Sequence, residues 1–298
     1  MSFVNILHLP QIKIHNANAL SSPFTVGFPA MTAWLGFTHA LQRKLQQKGF
    51  ESIELASVAV VNHQFDLQTY KGPGDFVSSI IGTGNPLDKT GERSAFIEEA
   101  RCHLTVSLII EFFDLDVKDQ DECIQQLQQL LPAMKIAGGD IMSFGTPEIL
   151  KIDEDSDTER RSLLRKLMPG YVLIERRDLM LEAQQQGEDA LDAMLGYLTV
   201  NHHSEQLDDD SVVWHSSRKT SGWIVPIATG FQAVSEPGPA INQRDTDTPH
   251  RFAESIVTLG EFVMPFRIQS LDDMLWSYHT DLDNNLYLCQ QNNQLDDE

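Results

Sequence analysis

Alternation between apolar and polar positions predicts three long strands in the first half of the chain. Segments rich in β-branched side chains cover residues 3–16, 52–68 and 101–113. Apolar positions that recur every three and four residues predict a helix at residues 31–48. A second helix is predicted at residues 116–134, with acidic residues in its first turn, where the helix dipole favours them. A short fourth strand, interrupted by two glycines, is predicted at residues 134–144.

The order of these elements is β-α-β-β-α-β, which predicts an α+β fold built on a ferredoxin-like unit. We assign this unit to residues 1–149. A stretch that contains Gly, Ser and Pro runs from about residue 69 to residue 95. It is predicted to be a long insertion between the second and third strands of the unit.

Residues 150–298 are predicted to form a mixed α/β region packed on the first unit. The expected elements are a basic helix at residues 159–168, a strand at 170–177, a helix at 189–201, a polar loop at 204–211 and a strand–turn–strand at 222–234. Residues 251–268 fit either a strand or a helix, and residues 270–281 have a helical pattern. The polar tail at 290–298 is predicted to be disordered.

The net charge of the chain limits the classes of partner that it is expected to bind. The chain has 43 acidic and 22 basic residues, which gives a formal net charge of −21. Such a charge keeps a protein soluble and repels polyanions at long range, so that taken alone it argues against nucleic-acid binding. The acids cluster at residues 111–122, 153–159, 205–210 and 281–298. These clusters are predicted to be solvated surface.

Other features of the sequence indicate a cytoplasmic protein. The longest apolar runs are too short to cross a bilayer, so no membrane is expected. The N-terminus has no basic region followed by a long apolar core, so no signal peptide is expected. The three cysteines are scattered and odd in number, which argues against a disulfide framework and for a reducing compartment.

The first fifty residues depart from the acidic composition, because they contain no Asp and no Glu. About seven acids would be expected there at the chain's average density. The same segment keeps four bases, Lys13, Arg43, Lys44 and Lys48. The absence of carboxylates from one long segment of so acidic a chain requires an explanation.

Motifs for catalysis and metal binding are missing from the sequence. It contains no Walker pattern, no H-E-x-x-H, no C-x-x-C and no G-x-S-x-G. His202 and His203 lie beside an acidic loop and are interpreted as an ordinary surface pair. His39 precedes Arg43 by four residues on the predicted helix, so the pair either donates to RNA phosphate or is plain helix surface. We expect no catalytic residue, no metal and no cofactor.

Aromatic residues offer a second route to RNA, because the sheet of such a unit can stack unpaired bases. The candidates are Phe28, Trp34, Phe37, Phe65 and Trp223. Phe37 is expected in the core, as most aromatics at helical spacing are. Trp34 and Trp223 stay open between core and base stacking.

Several stretches, taken together, resemble one known family. The two longest are IHNANALSSPFTVGFPAMTAWLGFTHALQRK, from residue 14, and NPLDKTGERSAFIEEARCHLTVSLII, from residue 85. Shorter ones are VNHQF, MKIAGGDIM, LMPGYVLIERRDLM, GWIVPIATGFQAVS and TPHRFAESIVTLGEFVMPFRI. They occur in order and cover most of residues 6–279. The chain is thereby similar to the second subunit of the Csy complex, the type I-F CRISPR surveillance assembly.

The resemblance implies a Cas-five-like member of the RAMP superfamily, with a ferredoxin-like fold and a thumb-like insertion. It implies a non-catalytic role in antiviral defence, in which the subunit holds the 5′ handle of the CRISPR RNA. The implied protein partners are the large subunit and the backbone subunit of the same complex, with target DNA reached only indirectly. The insertion carries Lys71, Lys89 and Arg93 against three acids, so whether it grips phosphates as a thumb stays open.

The resemblance also offers an explanation for the absence of acids from the first fifty residues. A carboxylate that lies along the RNA would repel the phosphates that Lys and Arg neutralise. The polar residues of the segment are expected to meet bases and sugar hydroxyls, or alternatively to bond their own backbone in a turn. The glycines of KIAGGDI stand where a RAMP glycine-rich loop is expected, with backbone N–H groups close to phosphates. The full set of expected RNA contacts is Asn16, Asn18, Ser21, Ser22, Trp34, His39, Arg43, Lys44, Arg101, Gly138, Gly139, Trp223 and Arg251.

Two rival functions remain. One is an endoribonuclease of the same superfamily that processes CRISPR RNA. The other is a protein-only assembly adaptor whose RNA surface has degenerated, which the acidic balance favours.

Overall fold

The structure is a computed structural model that describes residues 3–84, 87–93, 96–97, 99–241, 243, 245 and 247–291. Its class is α+β, with one large antiparallel sheet and five α-helices within the described residues. The predicted fold class is confirmed at this level.

The elements of the N-terminal half follow the predicted order. They are β1 (Phe3–Asn18), β2 (Leu20–Ser22), β3 (Thr25–Val26), α1 (Met31–Gln46), β4 (Glu54–Leu67), β5 (Thr69–Tyr70), β6 (Ser79–Ile80), β7 (Thr83–Gly84), β8 (Phe96–Ile97), β9 (Arg101–Phe113), α2 (Gln120–Leu130), β10 (Lys135–Ile136) and β11 (Gly139–Ser143). The three long strands and both helices of this half are confirmed.

The elements of the C-terminal half add six strands of the main sheet and three helices within the part of the chain that the structure describes. They are β12 (Glu148–Asp153), α3 (Asp157–Lys166), β13 (Tyr171–Glu175), α4 (Arg177–Gln185), α5 (Ala190–Leu198), β14 (Asn201–Gln206), β15 (Val212–Ser217), β16 (Ile224–Ala233), β17 (Ala253–Val263), β18 (Trp276–Asp281) and β19 (Leu286–Gln291). Strands β14 and β15 form a separate hairpin.

The main sheet begins in the order β10-β11-β1-β9-β4, and each neighbouring pair is antiparallel. Helix α1 lies on the connection from β1 to β4, and α2 lies on the connection from β9 to β10. The first half of β1 also pairs with β12, which spans residue 149. The division of the chain at that residue stays a prediction.

The remaining strands of the main sheet close back on β4. The order continues β4-β13-β17-β16-β19-β18, and β18 pairs with β4 through Trp276 and Val58. Trp276 is fully buried, and its Nε1 donates a hydrogen bond to the Leu173 carbonyl oxygen at 3.0 Å. Both halves of the chain therefore share one sheet through β4.

The two faces of the central strands are covered differently. On one face, alternate residues of β1, β4 and β9 pack against α1 and α2, with Leu9, Val60, Leu108, Trp34 and Leu127 among the buried side chains. On the other face, α3 and residues 265–275 cover one half, where Ile6, Val61 and Ile109 meet Leu163 and Leu167. The other half of that face, beside the end of β1, carries exposed polar side chains.

Residues 134–144 form a hairpin, and the predicted single interrupted strand is wrong. Ala137 and Gly138 have φ angles of 48° and 76°, and they turn the chain from β10 into β11. A tight two-residue hairpin turn requires positive φ at both central positions, which glycine adopts without strain.

Two predictions in the C-terminal half also need correction. The predicted strand–turn–strand at 222–234 is the single strand β16, in which Gly230 admits the close backbone of β19, because a Cβ there would collide with the Tyr287 carbonyl. Residues 270–281 are not helical, and their second half forms β18, which begins at the buried Trp276. The predicted polar loop at 204–211 is confirmed at residues 207–211, which connect β14 to β15. Residues 251–268, which fitted either a strand or a helix, form β17 and a short 3-10 turn.

The insertion and the tail are described in part. Short strands β5 and β6 pair with each other, and Phe76 between them is 98% exposed. Gln290 and Gln291 belong to β19 and are buried, so they are not part of a disordered tail. The rest of that predicted tail, residues 292–298, lies outside the described residues.

Candidate nucleic-acid interface

One end of the sheet leaves a polar surface, which we call the open half-face and define by Lys13, His15, Asn16, Arg101 and His103. Strands β1 and β9 pair there in the register Lys13 with Thr105 and Asn18 with Arg101. Neighbouring positions such as Ile14 and Leu104 are buried in the core. Because strand side chains alternate between faces, the polar residues point away from α1 and α2.

A bulge in β1 organises the centre of the open half-face. Asn16 has a φ angle of 61°, and its backbone N–H donates to His103 Nδ1 at 3.1 Å. Its Oδ1 accepts a hydrogen bond from Gln68 Nε2 at 3.1 Å. The rings of His15 and His103 stack with centroids 4.4 Å apart. This network holds two flat imidazole rings and an amide at a fixed place on an accessible surface.

Arg101 lies at the edge of this network beside the β10–β11 turn. One guanidinium nitrogen is paired with Glu99, while Nε is buried and has no hydrogen-bond partner within the described part of the chain. A Cβ placed on Gly138 would lie 3.9 Å from Arg101 Nη1, so the turn and the guanidinium are neighbours. Backbone N–H groups of a positive-φ turn next to a guanidinium form an arrangement suited to a phosphate.

The charges around the open half-face nearly balance. Lys135 pairs with Asp140, and its ammonium group holds the pKa of that carboxyl below its ordinary value. Asp66 lies opposite His103 across the β4–β9 ladder. Hydrogen bonds and stacking therefore contribute more to any RNA contact here than net positive charge does.

Four of the thirteen predicted RNA residues meet at this end of the sheet: Asn16, Asn18, Arg101 and Gly138. The backbone N–H of Asn18 donates to the Ala137 carbonyl at 2.8 Å, which joins β1 to the hairpin turn. The Asn18 side chain bonds the backbone of Leu20 through both its nitrogen and its oxygen, each at 3.1 Å.

Ser21 and Ser22 lie in the small β2–β3 hairpin that follows. Their hydroxyl groups bond Thr25 Oγ1 at 2.8 Å and 2.7 Å, respectively. Ser22 is buried, and it also accepts the backbone N–H of Phe24. These contacts, like those of the Asn18 side chain, fit the alternative of a turn that bonds its own backbone and neighbours.

Trp34 and Gly139 are parts of the packed interior, which corrects their expected role at an RNA surface. Trp34 is fully buried and donates Nε1 to the Pro29 carbonyl at 3.2 Å. A Cβ on Gly139 would lie 2.7 Å from the Ile14 side chain and 2.9 Å from Ala17 Cα. Gly139 therefore serves the close approach of β11 to β1.

The remaining predicted residues are spread over other surfaces. His39, Arg43 and Lys44 are exposed on α1, which covers the opposite face of the sheet. Arg251 donates to the Ser235 carbonyl at 2.9 Å and to Asn285 Oδ1 at 2.8 Å, so it ties a loop to the β18–β19 turn. Trp223 is 48% exposed and packs on Phe262, with ring centroids 5.1 Å apart.

The expected contact set left out three residues of the open half-face, Lys13, His15 and His103, and also Gln68, which donates to Asn16. Period-two alternation gives the faces of β1 and β9, and it separates Lys13 and His15 from the buried Ile12 and Ile14. The bulge at Asn16 and the register between strands far apart in sequence carry no such signal.

A cationic surface lies on α3. Arg161 and Arg165 are exposed there and line a cleft of about 370 Å³ together with Phe266. Among the described residues, no group of three or more His, Cys, Asp or Glu side chains is arranged to hold a metal ion. None of the described helices is long and apolar enough to cross a membrane.

Comparison with known proteins places the chain in a family. The family model described as CRISPR-associated protein (Cas_Csy2) matches residues 7–289. The CRISPR-associated protein Csy2 of Pseudomonas aeruginosa (strain UCBPP-PA14) is 36% identical over 310 aligned residues, which cover 95% of this chain and 94% of that protein. The chain therefore belongs to the Csy2 family of CRISPR-associated proteins, the second-subunit family of the Csy complex that the sequence resembles.

Proposed function

We propose that this chain is a non-catalytic RNA-binding subunit of the Csy surveillance complex that holds the 5′ handle of the CRISPR RNA. The observation that carries the proposal is the meeting of Asn16, Arg101, His103 and the Gly138 turn at one end of the sheet in a Csy2-family member. In this role the subunit contributes to antiviral defence by fixing one end of the guide.

The strand order supports a ferredoxin-like RAMP unit as the scaffold of this interface. The order β11-β1-β9-β4, all antiparallel, with helices on the two crossing connections, is that of a β-α-β-β-α-β unit. In such a unit the sheet face opposite the helices is the natural platform for unpaired RNA. Here α3 covers part of that face, which leaves the open half-face as the platform.

Each part of the open half-face suits a different part of a single-stranded RNA. The stacked His15 and His103 rings offer a surface for a base, since aromatic rings stack bases without regard to sequence. Arg101 and the Gly138 turn suit a phosphate, and Lys13 adds a second positive charge further along β1.

A non-catalytic role is supported by the hydrogen bonds of His103. Its Nδ1 accepts the Asn16 N–H, and its Nε2 lies 3.3 Å from Gln68 Nε2. Nδ1 is thus engaged within the protein and cannot serve as a general base, which needs a nitrogen directed at the reacting group.

The rival endoribonuclease function is favoured by one observation, the stacked His15–His103 pair beside Arg101. Incubation of the purified chain with repeat RNA in the absence of metal separates the two functions. We expect no specific cleavage products. Products that disappear in a His15→Ala or His103→Ala variant would establish the nuclease.

Two surfaces support pairing with another Csy subunit, for which we propose the large subunit. A cleft of about 480 Å³ at the end of α1 is lined by Glu51, Asp114, Asp116, Asp119 and Glu122, which suits a basic partner. The insertion exposes Phe76, Val77, Ile80 and Ile81, and exposed apolar side chains in one segment are typical of a protein contact. Co-expression followed by gel filtration at moderate salt tests the pairing, and two separate peaks would contradict it.

The RNA proposal is tested with a matched pair of charge reversals, Lys13→Glu and Lys48→Glu. Both lysines are exposed and both belong to the acid-free segment, but Lys48 lines the acidic cleft and Lys13 lies on the open half-face. Affinity for handle RNA is measured at two salt concentrations with the chain bound to its large subunit. Lys13→Glu should weaken binding, and the salt slope should fall by about 0.7 for each lost phosphate contact.

The control decides how the result is interpreted. Lys48→Glu should bind handle RNA like the parent, because its charge faces carboxylates. Equal affinity of Lys13→Glu and the parent at low salt would remove the open half-face from the interface. An Arg43→Glu variant tests the outer face of α1 in the same assay, and a loss confined to Arg43 would move the RNA to that face.

A further inference from the structure

An aromatic pocket lies at the same end of the sheet as the open half-face, but on the face that α1 covers, and the proposed function does not yet use it. We define it by Phe28, Asn62, Phe65, Trp223 and Phe262. Its volume is about 180 Å³, and its other lining residues are Val26, Gly27, Val225 and Pro226. None of the nine lining residues is charged, so the pocket is suited to a flat apolar ring and unsuited to a phosphate.

The aromatic side chains form a floor and a mouth. Phe28 and Phe262 are buried and meet edge to face, with centroids 5.2 Å apart. Phe65 and Trp223 are 37% and 48% exposed, and each packs against one of the floor residues. A planar ring that enters between the two exposed side chains is therefore offered aromatic surfaces to stack on.

Asn62 adds a polar group to this apolar pocket. The residue is only 5% exposed, and its Oδ1 has no hydrogen-bond partner among the described residues. A buried acceptor without a partner is costly, and native proteins rarely keep one without a use. The ligand that relieves this cost brings an N–H donor into the pocket.

Two segments of chain lead from the pocket round the end of the sheet to the open half-face. Phe65, on β4, precedes Gln68 by three residues, and the Gln68 amide donates to Asn16 Oδ1. Val26 ends the β2–β3 hairpin, which begins next to Asn18, and Phe28 follows two residues later. An RNA strand that is held at Asn16 and Arg101 and passes round the end of β4 therefore brings its next bases toward the mouth of the pocket.

We propose that the aromatic pocket receives one unpaired base of the bound RNA handle, which donates an N–H hydrogen bond to Asn62 Oδ1. The base stacks between the exposed rings of Phe65 and Trp223, while its sugar and phosphate stay outside among polar groups. This inference rests on the proposed function, since it takes handle RNA as the ligand. It makes the subunit a reader of one base as well as a holder of the backbone.

The position of that base is found with handle RNA in which one base at a time is replaced by 2-aminopurine, whose fluorescence is quenched on stacking. The RNA is bound to the complex of this chain with its large subunit. We expect strong quenching at one position, and an abasic substitution there should weaken binding roughly 5- to 150-fold.

Two variants and a control assign the effect to the pocket. Phe65→Ala should restore the fluorescence at that position, while Trp214→Ala, an exposed tryptophan on the separate β15 hairpin, should not. Asn62→Leu keeps the stacking surface but removes the acceptor. The parent should lose about tenfold in affinity when the base is exchanged for an analogue without the N–H donor, and Asn62→Leu should bind both RNAs equally.

The outcomes separate this inference from the proposed function. If handle RNA binds with the expected salt dependence but every base can be removed without loss, the pocket holds no base and the proposed function survives. If handle RNA does not bind at all, both fail. If Phe65→Ala releases the large subunit while base effects are absent, the pocket seats a protein side chain and the inference is overturned.

Discussion

Gly139 and Gly36 form a pair whose substitution by alanine tests the packing of β11 on β1. A Cβ on Gly139 would lie 2.7 Å from Ile14 Cγ2, 2.8 Å from the His15 carbonyl oxygen and 2.9 Å from Ala17 Cα. Two of these atoms belong to the β1 backbone, which is paired on both sides and cannot yield easily. Gly36 lies on the exposed side of α1, where a Cβ would meet nothing within 4 Å.

The expected free energies of unfolding change in opposite directions. Overpacking at Gly139 should lower the stability by about 1–3 kcal/mol, because strand β11 must move away from β1. At Gly36, alanine should raise the stability by about 0.5–1 kcal/mol, because glycine is the weaker helix former and is less restricted in the unfolded chain. The free energies of unfolding of the two variants should thus differ by about 1.5–4 kcal/mol.

Urea denaturation followed by circular dichroism measures this difference, and handle RNA affinity is measured under conditions in which both variants are folded. Gly139→Ala should bind RNA like the parent once folded, since the residue is buried. Gly138→Ala, at the exposed turn with a φ angle of 76°, is the informative comparison for RNA. If Gly139→Ala and the parent unfold at the same urea concentration, the close approach of β11 to β1 is refuted. If the folded variant loses RNA affinity, Gly139 is an RNA contact after all.

Three further predictions concern other buried or bonded groups. Burial lowers the pKa of His8 from its ordinary value of 6.5, although Glu148 opposes the shift. The unfolded chain therefore binds the extra proton first as the pH falls. The free energy of unfolding should stay constant above about pH 6.5 and decrease at lower pH by up to about 1.4 kcal/mol per pH unit. Urea melts at pH 7.5 and 5.5 should show a smaller loss for His8→Met. Burial raises the pKa of Cys102 and Cys289 to about 12 and that of Cys123 to about 11. The thiols of the native protein should therefore react slowly with DTNB at pH 8 and quickly after guanidinium is added. Fast labelling of the native protein would contradict this. Arg251→Met should lower stability by about 1–3 kcal/mol without changing RNA affinity, and the reverse result would make Arg251 an RNA contact.

The sequence was sufficient for elements whose pattern is local. The long strands β1, β4 and β9 and the helix α1 each carry a clear hydrophobic period, and each formed where predicted. The pattern failed where long-range packing decides the structure. The helical spacing of residues 270–281 gave way to β18, because Trp276 fills the space beside β4 and Leu173. The strand–turn–strand predicted at 222–234 is one strand, in which Gly230 admits the backbone of β19.

The candidate interface was predictable in its parts and not in its arrangement. Asn16, Asn18, Arg101 and Gly138 were all expected to contact RNA, and they meet at one end of the sheet. Trp34 shows the limit of residue type as a guide, because a tryptophan suited to stacking a base is equally suited to the core it occupies. Whether an asparagine faces a ligand or closes its own turn depends on bulges and hairpins that no periodicity reveals.

The acid-free first fifty residues have more than one cause. Many of their positions are buried on β1 and α1, and a buried position excludes an unpaired carboxylate. At the end of α1 the helix dipole favours Arg43 and Lys44, and the acidic cleft around Lys48 would repel further acids.

Neither cause explains why acids are missing from the exposed positions of β1, which are Gln11, Lys13, His15, Asn16 and Asn18. Of the carboxylates near these positions, Asp140 and Glu99 are paired with Lys135 and Arg101, and Asp66 lies opposite His103. A polyanion bound along this strand, as in the proposed function, would disfavour further acids there. The acid-free segment is therefore consistent with the proposed RNA contact through β1 and the open half-face, while the bases of α1 are accounted for by the helix itself.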